Sequence, residues 1–164
     1  ADWAKPQPST RYQRAYPIAQ GEIQTQMATI MDIYPTVLSV AGIQPPERHV
    51  LDGSDLKRLL SGEADPRHRD DFLMHFPHEH RGSYFTTYRQ GDWKLIYYYH
   101  PEKEGIPSYR LYHLRTDPYE QKELSTQYPD KLRELCLAMR NRLTTEQALY
   151  PVDAQGHPLE VRIP

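Results

Sequence analysis

One stretch of the chain concentrates groups that can do chemistry: Met74-His75-Phe76-Pro77-His78-Glu79-His80-Arg81. Three imidazoles and a guanidinium fall within seven residues. Neutral imidazole binds zinc, and protonated imidazole with arginine binds anions such as sulfate or phosphate. The metal reading is disfavoured, because the spacing is not that of a helix-borne pair and no cysteine completes a ligand set. Two readings stay open for the segment: an anion or polar-ligand site, and a polar loop after an edge strand.

The other candidates are weaker. Asp70-Asp71 could pair for acid–base or metal work, but lies in a charged stretch where carboxylates are usually solvated. Lys94 occupies the outward position of an alternating run, which is ordinarily solvent-facing. Asp117-Pro118-Tyr119-Glu120 is first of all a turn signal. Cys136, the only cysteine, falls on an apolar helical stripe and reads as a buried thiol. No glycine-rich phosphate loop, HExxH or GxSxG is present. The chain therefore holds no self-sufficient catalytic set, and neither a catalytic residue nor a metal ligand is assigned.

Elements must position these groups. Hydrophobic residues make up 38% and charged ones 26% of 164 residues, ordinary for one folded domain. A net charge of -2 excludes polyanion or nucleic-acid binding by bulk positive charge. No apolar run is long enough to span a membrane, and one cysteine cannot form an intrachain disulfide. The 15 prolines predict much extended chain and many fixed turns. The 13 tyrosines suit surfaces that meet sugars or proteins. The start at Ala1, without a leader pattern, reads as a processed or excised piece.

Residues 1–22 read as an extended arm or linker. Residues 23–62 read as a short strand or its approach over 23–31 and two short helices. Asp32 is placed to cap the first helix and Gly42 to end it, with Ile33, Val37, Val40 and Ala41 as its apolar stripe. Ser54 is placed to cap the second, Asp55 to Leu60. Residues 63–164 then hold four strands, 72–76, 84–89, 93–99 and 109–114, in an antiparallel meander with a turn at Gly91-Asp92. Leu132, Leu135, Cys136, Met139 and Leu143 mark one face of a long helix over 129–147 that packs on the sheet. The expected fold is α+β: a four-stranded antiparallel sheet with a long C-terminal helix, an N-terminal helical segment and extended arms.

The order of several short motifs resembles the C-terminal part of a sulfatase of the arylsulfatase-like, alkaline-phosphatase-like superfamily. Asp32-Ile-Tyr-Pro-Thr-Val-Leu-Ser-Val-Ala-Gly42 is similar to the segment that closes the large domain, and Leu51-Asp-Gly-Ser-Asp-Leu56 to the one that follows. Arg89-Gln-Gly-Asp-Trp-Lys-Leu-Ile96 resembles the family's R-x-G-D-x-K-L-I strand. Leu111-Tyr-His-Leu-Arg-Thr-Asp-Pro-Tyr-Glu120 with Glu123-Leu124 resembles L-Y-x-L-x-x-D-P-x-E…N-L, with Glu123 where Asn is usual. The tail from Tyr150-Pro-Val-Asp to Ile163-Pro164 is similar to that of some members.

The resemblance implies a sulfuric ester hydrolase whose N-terminal catalytic domain, with calcium and formylglycine, is the partner of this chain. Substrates would be a sulfated glycan or aryl sulfate. It implies no cofactor in these residues, inactivity of the chain alone, and a periplasmic or secreted setting. Cys136-Leu-Ala-Met-Arg140 matches the formylglycine signature literally, but its place on the apolar stripe argues for a core thiol. By position, His75, His78, His80 and Arg81 would face the substrate pocket and touch the leaving group. An exposed apolar patch near the Ile33–Ala41 helix would mark where the large domain belongs, and could drive homodimers of the isolated piece. A stand-alone glycan- or protein-binding module and a related phosphodiesterase fragment are the competing readings.

Overall fold

A computed structural model describes residues 16–80 and 83–164, without the side chains of Glu79, His80, Ser83, Lys103 and Glu104. The chain divides between Arg69 and Asp70 into two compact units.

The second unit is α+β. Its strands are β1 (Asp71–His80), β2 (Ser83–Gln90), β3 (Trp93–Tyr98) and β4 (Tyr109–His113), paired antiparallel in the order β1-β2-β3-β4. The turn from β2 to β3 is two residues long and opens on Gly91 at φ +56, a left-handed position that glycine takes without a steric penalty. A short helix, Pro101–Glu104, lies between β3 and β4, and a long one, Pro129–Thr145, follows β4.

Side chains alternate across each strand. Leu73, Tyr88, Leu95, Tyr97, Tyr99 and Leu111 share one face and form a core with Leu132, Leu135, Cys136, Met139 and Leu143 of the long helix. The apolar spacing of that helix thus meets the partner it requires. The tail crosses the same face: Val161 is buried, and the Tyr97 and Tyr109 hydroxyls donate to the carbonyls of Glu160 and Arg162 at 3.2 and 2.9 Å. Part of the tyrosine bias therefore serves this core, with rings inside and hydroxyls holding backbone.

The first unit is built differently. A 3-10 turn, Ile30–Asp32, runs directly into a helix, Ile33–Ala41, and a one-turn helix follows at Lys57–Leu60. In this order the helices are α1 (Ile33–Ala41), α2 (Lys57–Leu60), α3 (Pro101–Glu104) and α4 (Pro129–Thr145). Asp32 does not cap α1 with its side chain. Its carboxylate instead accepts the Thr29 amide and hydroxyl at 2.6 and 3.0 Å and the Ser54 amide at 2.7 Å. Burial by itself would raise the Asp32 pKa, but these donors hold it below its ordinary value. The chain passes so close here that a Cβ on Gly53 would lie 2.1 Å from the Met31 carbonyl oxygen, leaving room for glycine alone.

Three expectations are corrected. No strand forms over 23–31; Gln26 instead exchanges two hydrogen bonds with the Asp65 backbone, and the Met27 carbonyl faces His68 Nε2 at 2.5 Å. Local side-chain partners satisfy that backbone where no neighbouring strand does. The second helix starts at Lys57, because Ser54 is engaged by Asp32 and Asp55 Oδ1 takes the Lys57 amide at 2.9 Å. Finally, β1 continues through Pro77 to His80. An edge strand tolerates proline, and the pairing shifts register between Phe76 and His80.

Candidate functional site

The β1–β2 hairpin reaches beyond the rest of the sheet. Pairing of β2 with β3 ends at Phe85↔Tyr98, whereas β1 and β2 pair again at His80↔Ser83. The histidine-bearing segment therefore occupies a two-stranded projection at one end of the sheet. In a meander the β3–β4 connection lies at that same end.

Of the four expected site residues, the structure describes the side chains of His75 and His78. His75 stands opposite Thr86 on the α4 face. Its Nδ1 meets Thr86 Oγ1 at 2.6 Å and its Nε2 meets the Leu149 carbonyl at 2.7 Å. A carbonyl only accepts, so Nε2 carries a proton, while Nδ1 meets Thr86 Oγ1, which in turn meets the Tyr99 hydroxyl at 2.7 Å. Burial pushes the Tyr99 phenol well above its ordinary pKa, so it stays a donor. Both ring nitrogens of His75 are thus engaged by groups of the protein. His78 is exposed, and its ring meets the edge of Phe76 at 5.7 Å. The His80 side chain and all of Arg81 lie outside the described residues.

Phe76 begins a row of side chains on the sheet face opposite α4. The Phe76 and Phe85 ring centroids are 5.1 Å apart, and those of Phe85 and Tyr98 are 6.2 Å apart. Arg110 on β4 closes the row, its guanidinium carbon 5.4 Å from the Tyr98 centroid. Among the described residues no carboxylate forms an ion pair with Arg110. This row is not legible in the sequence alone. The aromatic alternation of β1, β2 and β3 carried the signal, but only the register brings Phe76, Phe85 and Tyr98 side by side.

The other candidates have structural duties. Lys94 forms an ion pair with Glu120 at 2.5 Å, which ties the two sequence motifs together. Glu120 adopts φ +55 to do so, at a backbone cost of about 1–2 kcal/mol. Asp92 pairs with Arg115 at 2.7 Å, and Arg89 Nε donates to the Gly91 carbonyl at 3.0 Å, bracing the β2–β3 turn. Asp71 pairs with Arg142 of α4 at 2.9 Å. Asp117 takes the Lys122 amide at 2.7 Å, as a turn-forming aspartate does. Cys136 is fully buried, and burial pushes its thiol up to about 12. In the folded chain it is not placed to act as an exposed nucleophile.

A cleft of ≈ 570 Å³ lies between α3 and the tail, with His100, Glu102 and Asp153 on its walls. Glu102 sits 3.5 Å from His100, and Asp153 accepts amides of its own turn. Among the described residues no group of three or more His, Cys, Asp or Glu is placed to hold a metal ion. The described residues thus offer no ligand set for a calcium ion, and no chemical step is routed through them. No helix among the described residues is long and apolar enough to cross a membrane.

Known proteins resemble this chain in sequence and in fold. The family model described as "N-sulphoglucosamine sulphohydrolase, C-terminal" matches residues 10–148. Arylsulfatase D of Homo sapiens is 29% identical over 159 residues, which cover 82% of this chain and 26% of that protein. A solved structure in complex with its substrate D-glucosamine-2-N,6-O-disulfate is 25% identical at a TM-score of 0.55, covering 71% of this chain and 24% of that one. Phosphonate monoester hydrolase from Silicibacter pomeroyi shares the fold at a TM-score of 0.58 and 16% identity, covering 92% of this chain and 32% of that one. The chain spans about a quarter to a third of the length of these relatives.

Proposed function

Because the chain belongs to the family of C-terminal sulfatase domains, we propose that it completes a sulfatase whose N-terminal catalytic domain carries the chemistry. Calcium and formylglycine belong to that other domain, and the boundary of the large domain falls near residue 62. The observation that carries the reading is the outward apolar face of α1. Ile33, Val37 and Val40 are 56%, 59% and 45% exposed. A soluble protein rarely leaves such a continuous stripe in water without a partner. In a family whose members extend well beyond this chain, the catalytic domain is the partner that fits.

The substrate is a sulfate ester of a sugar or an aryl alcohol, in keeping with the compound bound by one relative and the name of another. The hairpin bearing His75, His78, His80 and Arg81 borders the substrate pocket and contacts the leaving group, not the scissile S–O bond. Imidazole and guanidinium suit its hydroxyls, carboxylates or further sulfates. His75 contributes by fixing the hairpin base through Thr86 and the Leu149 carbonyl. His78, His80 and Arg81 supply direct contacts.

The test uses the reassembled full-length sulfatase. Alanine at His78, His80 or Arg81 is expected to raise KM or change substrate choice, with kcat less affected. Unchanged activity on every sulfate ester would remove the assignment. The chain alone is expected to show no turnover with or without calcium, and measurable hydrolysis by it would overturn the reading.

A further inference from the structure

The two edges of the sheet in the second unit are finished differently. At β4 the Glu123 carboxylate accepts the Leu111 amide at 2.9 Å, the Leu111 carbonyl accepts the Leu124 amide at 2.9 Å, and the His113 carbonyl accepts the amides of Thr116 and Asp117. The chain that follows β4 therefore seals that edge. At β1 the Asp70 carbonyl accepts the Gly91 amide at 3.0 Å, which fixes the phase of the ladder. Phe72, Met74 and Phe76 turn their backbone groups toward β2, and Asp71, Leu73 and His75 turn theirs away from it. Among the described residues no backbone group pairs with these three. We infer that this open edge is an interaction surface for a second copy of the same chain, the two β1 strands pairing antiparallel about Leu73 into one continuous sheet.

Self-complementarity selects that occupant. With the axis at Leu73, every outward residue meets an outward residue, and each facing pair exchanges both of its N–H···O=C bonds. Leu73 meets its own counterpart, Asp71 meets His75, and Phe72 meets Met74, so no like charges stand opposite one another. The neighbouring registers are poorer. Pairing about Asp71 sets two carboxylates face to face, and pairing about His75 two imidazoles. Pairing about Phe72 leaves His75 opposite Arg69, before the strand begins, and pairing about Met74 leaves Asp71 opposite Pro77, which has no amide to donate. Over Asp71–Phe76 the edge carries neither lysine nor proline, the residues that ordinarily keep edges apart. Apolar groups also flank it. Met74 is 37% exposed on the face turned away from α4, and Leu149, whose carbonyl meets His75, is 81% exposed. An unrelated extended peptide could bond the same backbone groups, but the matched register is a property of this strand against itself.

The test uses the full chain carrying Val37→Lys, so that the open stripe of α1 does not contribute to association. Sedimentation velocity at increasing concentration is expected to show a monomer–dimer equilibrium. Amide hydrogen exchange read residue by residue reports the edge itself. The Asp71, Leu73 and His75 amides should exchange freely in dilute solution and become about tenfold more protected where the dimer dominates, while the Leu111 amide, already bonded within the chain, does not change. Met74→Lys should weaken dimerisation about tenfold, because each added ammonium lies near its counterpart across the axis. Near-ultraviolet circular dichroism checks that this variant keeps the fold. A chain that stays monomeric up to about 1 mM overturns the inference. A dimer in which the three amides stay unprotected lies on another face and overturns it as well. Amides already protected in the dilute monomer mean that the edge is covered within the chain, with the same consequence. Protection that appears only on adding an alternating Thr-Val peptide, without self-association, makes the edge a peptide site and equally removes the pairing of copies. None of these outcomes touches the sulfatase reading, which rests on α1 and on turnover by the reassembled enzyme.

Discussion

The two helices that carry the clearest apolar stripes have opposite fates. In α4, Leu135, Cys136, Met139 and Leu143 are at most 1% exposed, locked against the sheet. In α1, Ile33, Val37 and Val40 point outward, and the residues it buries are Pro35 and Thr36. The inner side of α1 is held by polar groups. Thr36 Oγ1 donates to the Asp32 carbonyl at 2.6 Å and accepts the Leu56 amide at 2.9 Å, beside the Asp32 carboxylate latch. The same kind of pattern thus builds a core in one unit and presents a surface in the other. Amphipathic spacing says that a helix will be covered on one side; it does not say whether the cover lies within the same chain.

The largest expected effect is in the helix that has its cover. Met139→Ala should destabilise the second unit by about 2–5 kcal/mol in urea denaturation, because a buried side chain is lost into a packed core. A cost below that of a surface change would erase the contrast between the helices.

The latch comes next. Asp32→Ala should weaken the first unit by about 1–3 kcal/mol, since it leaves the Ser54 and Thr29 amides without their acceptor. Hydrogen exchange at the Ser54 and Leu56 amides reads this directly. Acid should do the same to the unaltered chain. The folded carboxyl titrates below its ordinary 3.8, so its contribution is present above that value and fades as pH falls through the folded pKa. Protection of the Ser54 amide that persisted unchanged well below pH 3.8 would show that the carboxylate is not what holds the turn.

The smallest effect on stability is expected at the open stripe. Val37→Lys should change stability by no more than about 0.5 kcal/mol, as an exposed position does. It should nevertheless reduce self-association and binding of a hydrophobic dye by the isolated chain. A loss of several kcal/mol would mean that α1 is covered within this chain after all.

Local signals identified most of the second unit. Alternation over Trp93 to Tyr98 and the Gly91-Asp92 turn placed β3 and its hairpin, and the spacing from Leu132 to Leu143 placed α4 and its buried face. Those patterns are periodic and local, and each finds its partner nearby in the chain. The signals that failed were ones in which one residue could serve two partners. Asp32 looks like a helix cap from its position, yet its carboxylate bonds the Ser54 amide across 22 residues. Pro77 looks like the end of a strand, yet an edge position lets β1 run on to His80. Within the histidine segment the sequence did not distinguish His75, which reaches the Leu149 carbonyl, from the exposed His78.

The sequence by itself determined the meander, the helix that backs it, and the family, through motifs recognisable by their order. Tertiary structure alone decided which charged motif residues are braces, as with Lys94 on Glu120, and which aromatic residues form a row, as with Phe76, Phe85 and Tyr98. Periodicity is written along the chain, whereas register and ion pairing depend on distances between segments that the one-dimensional order does not contain.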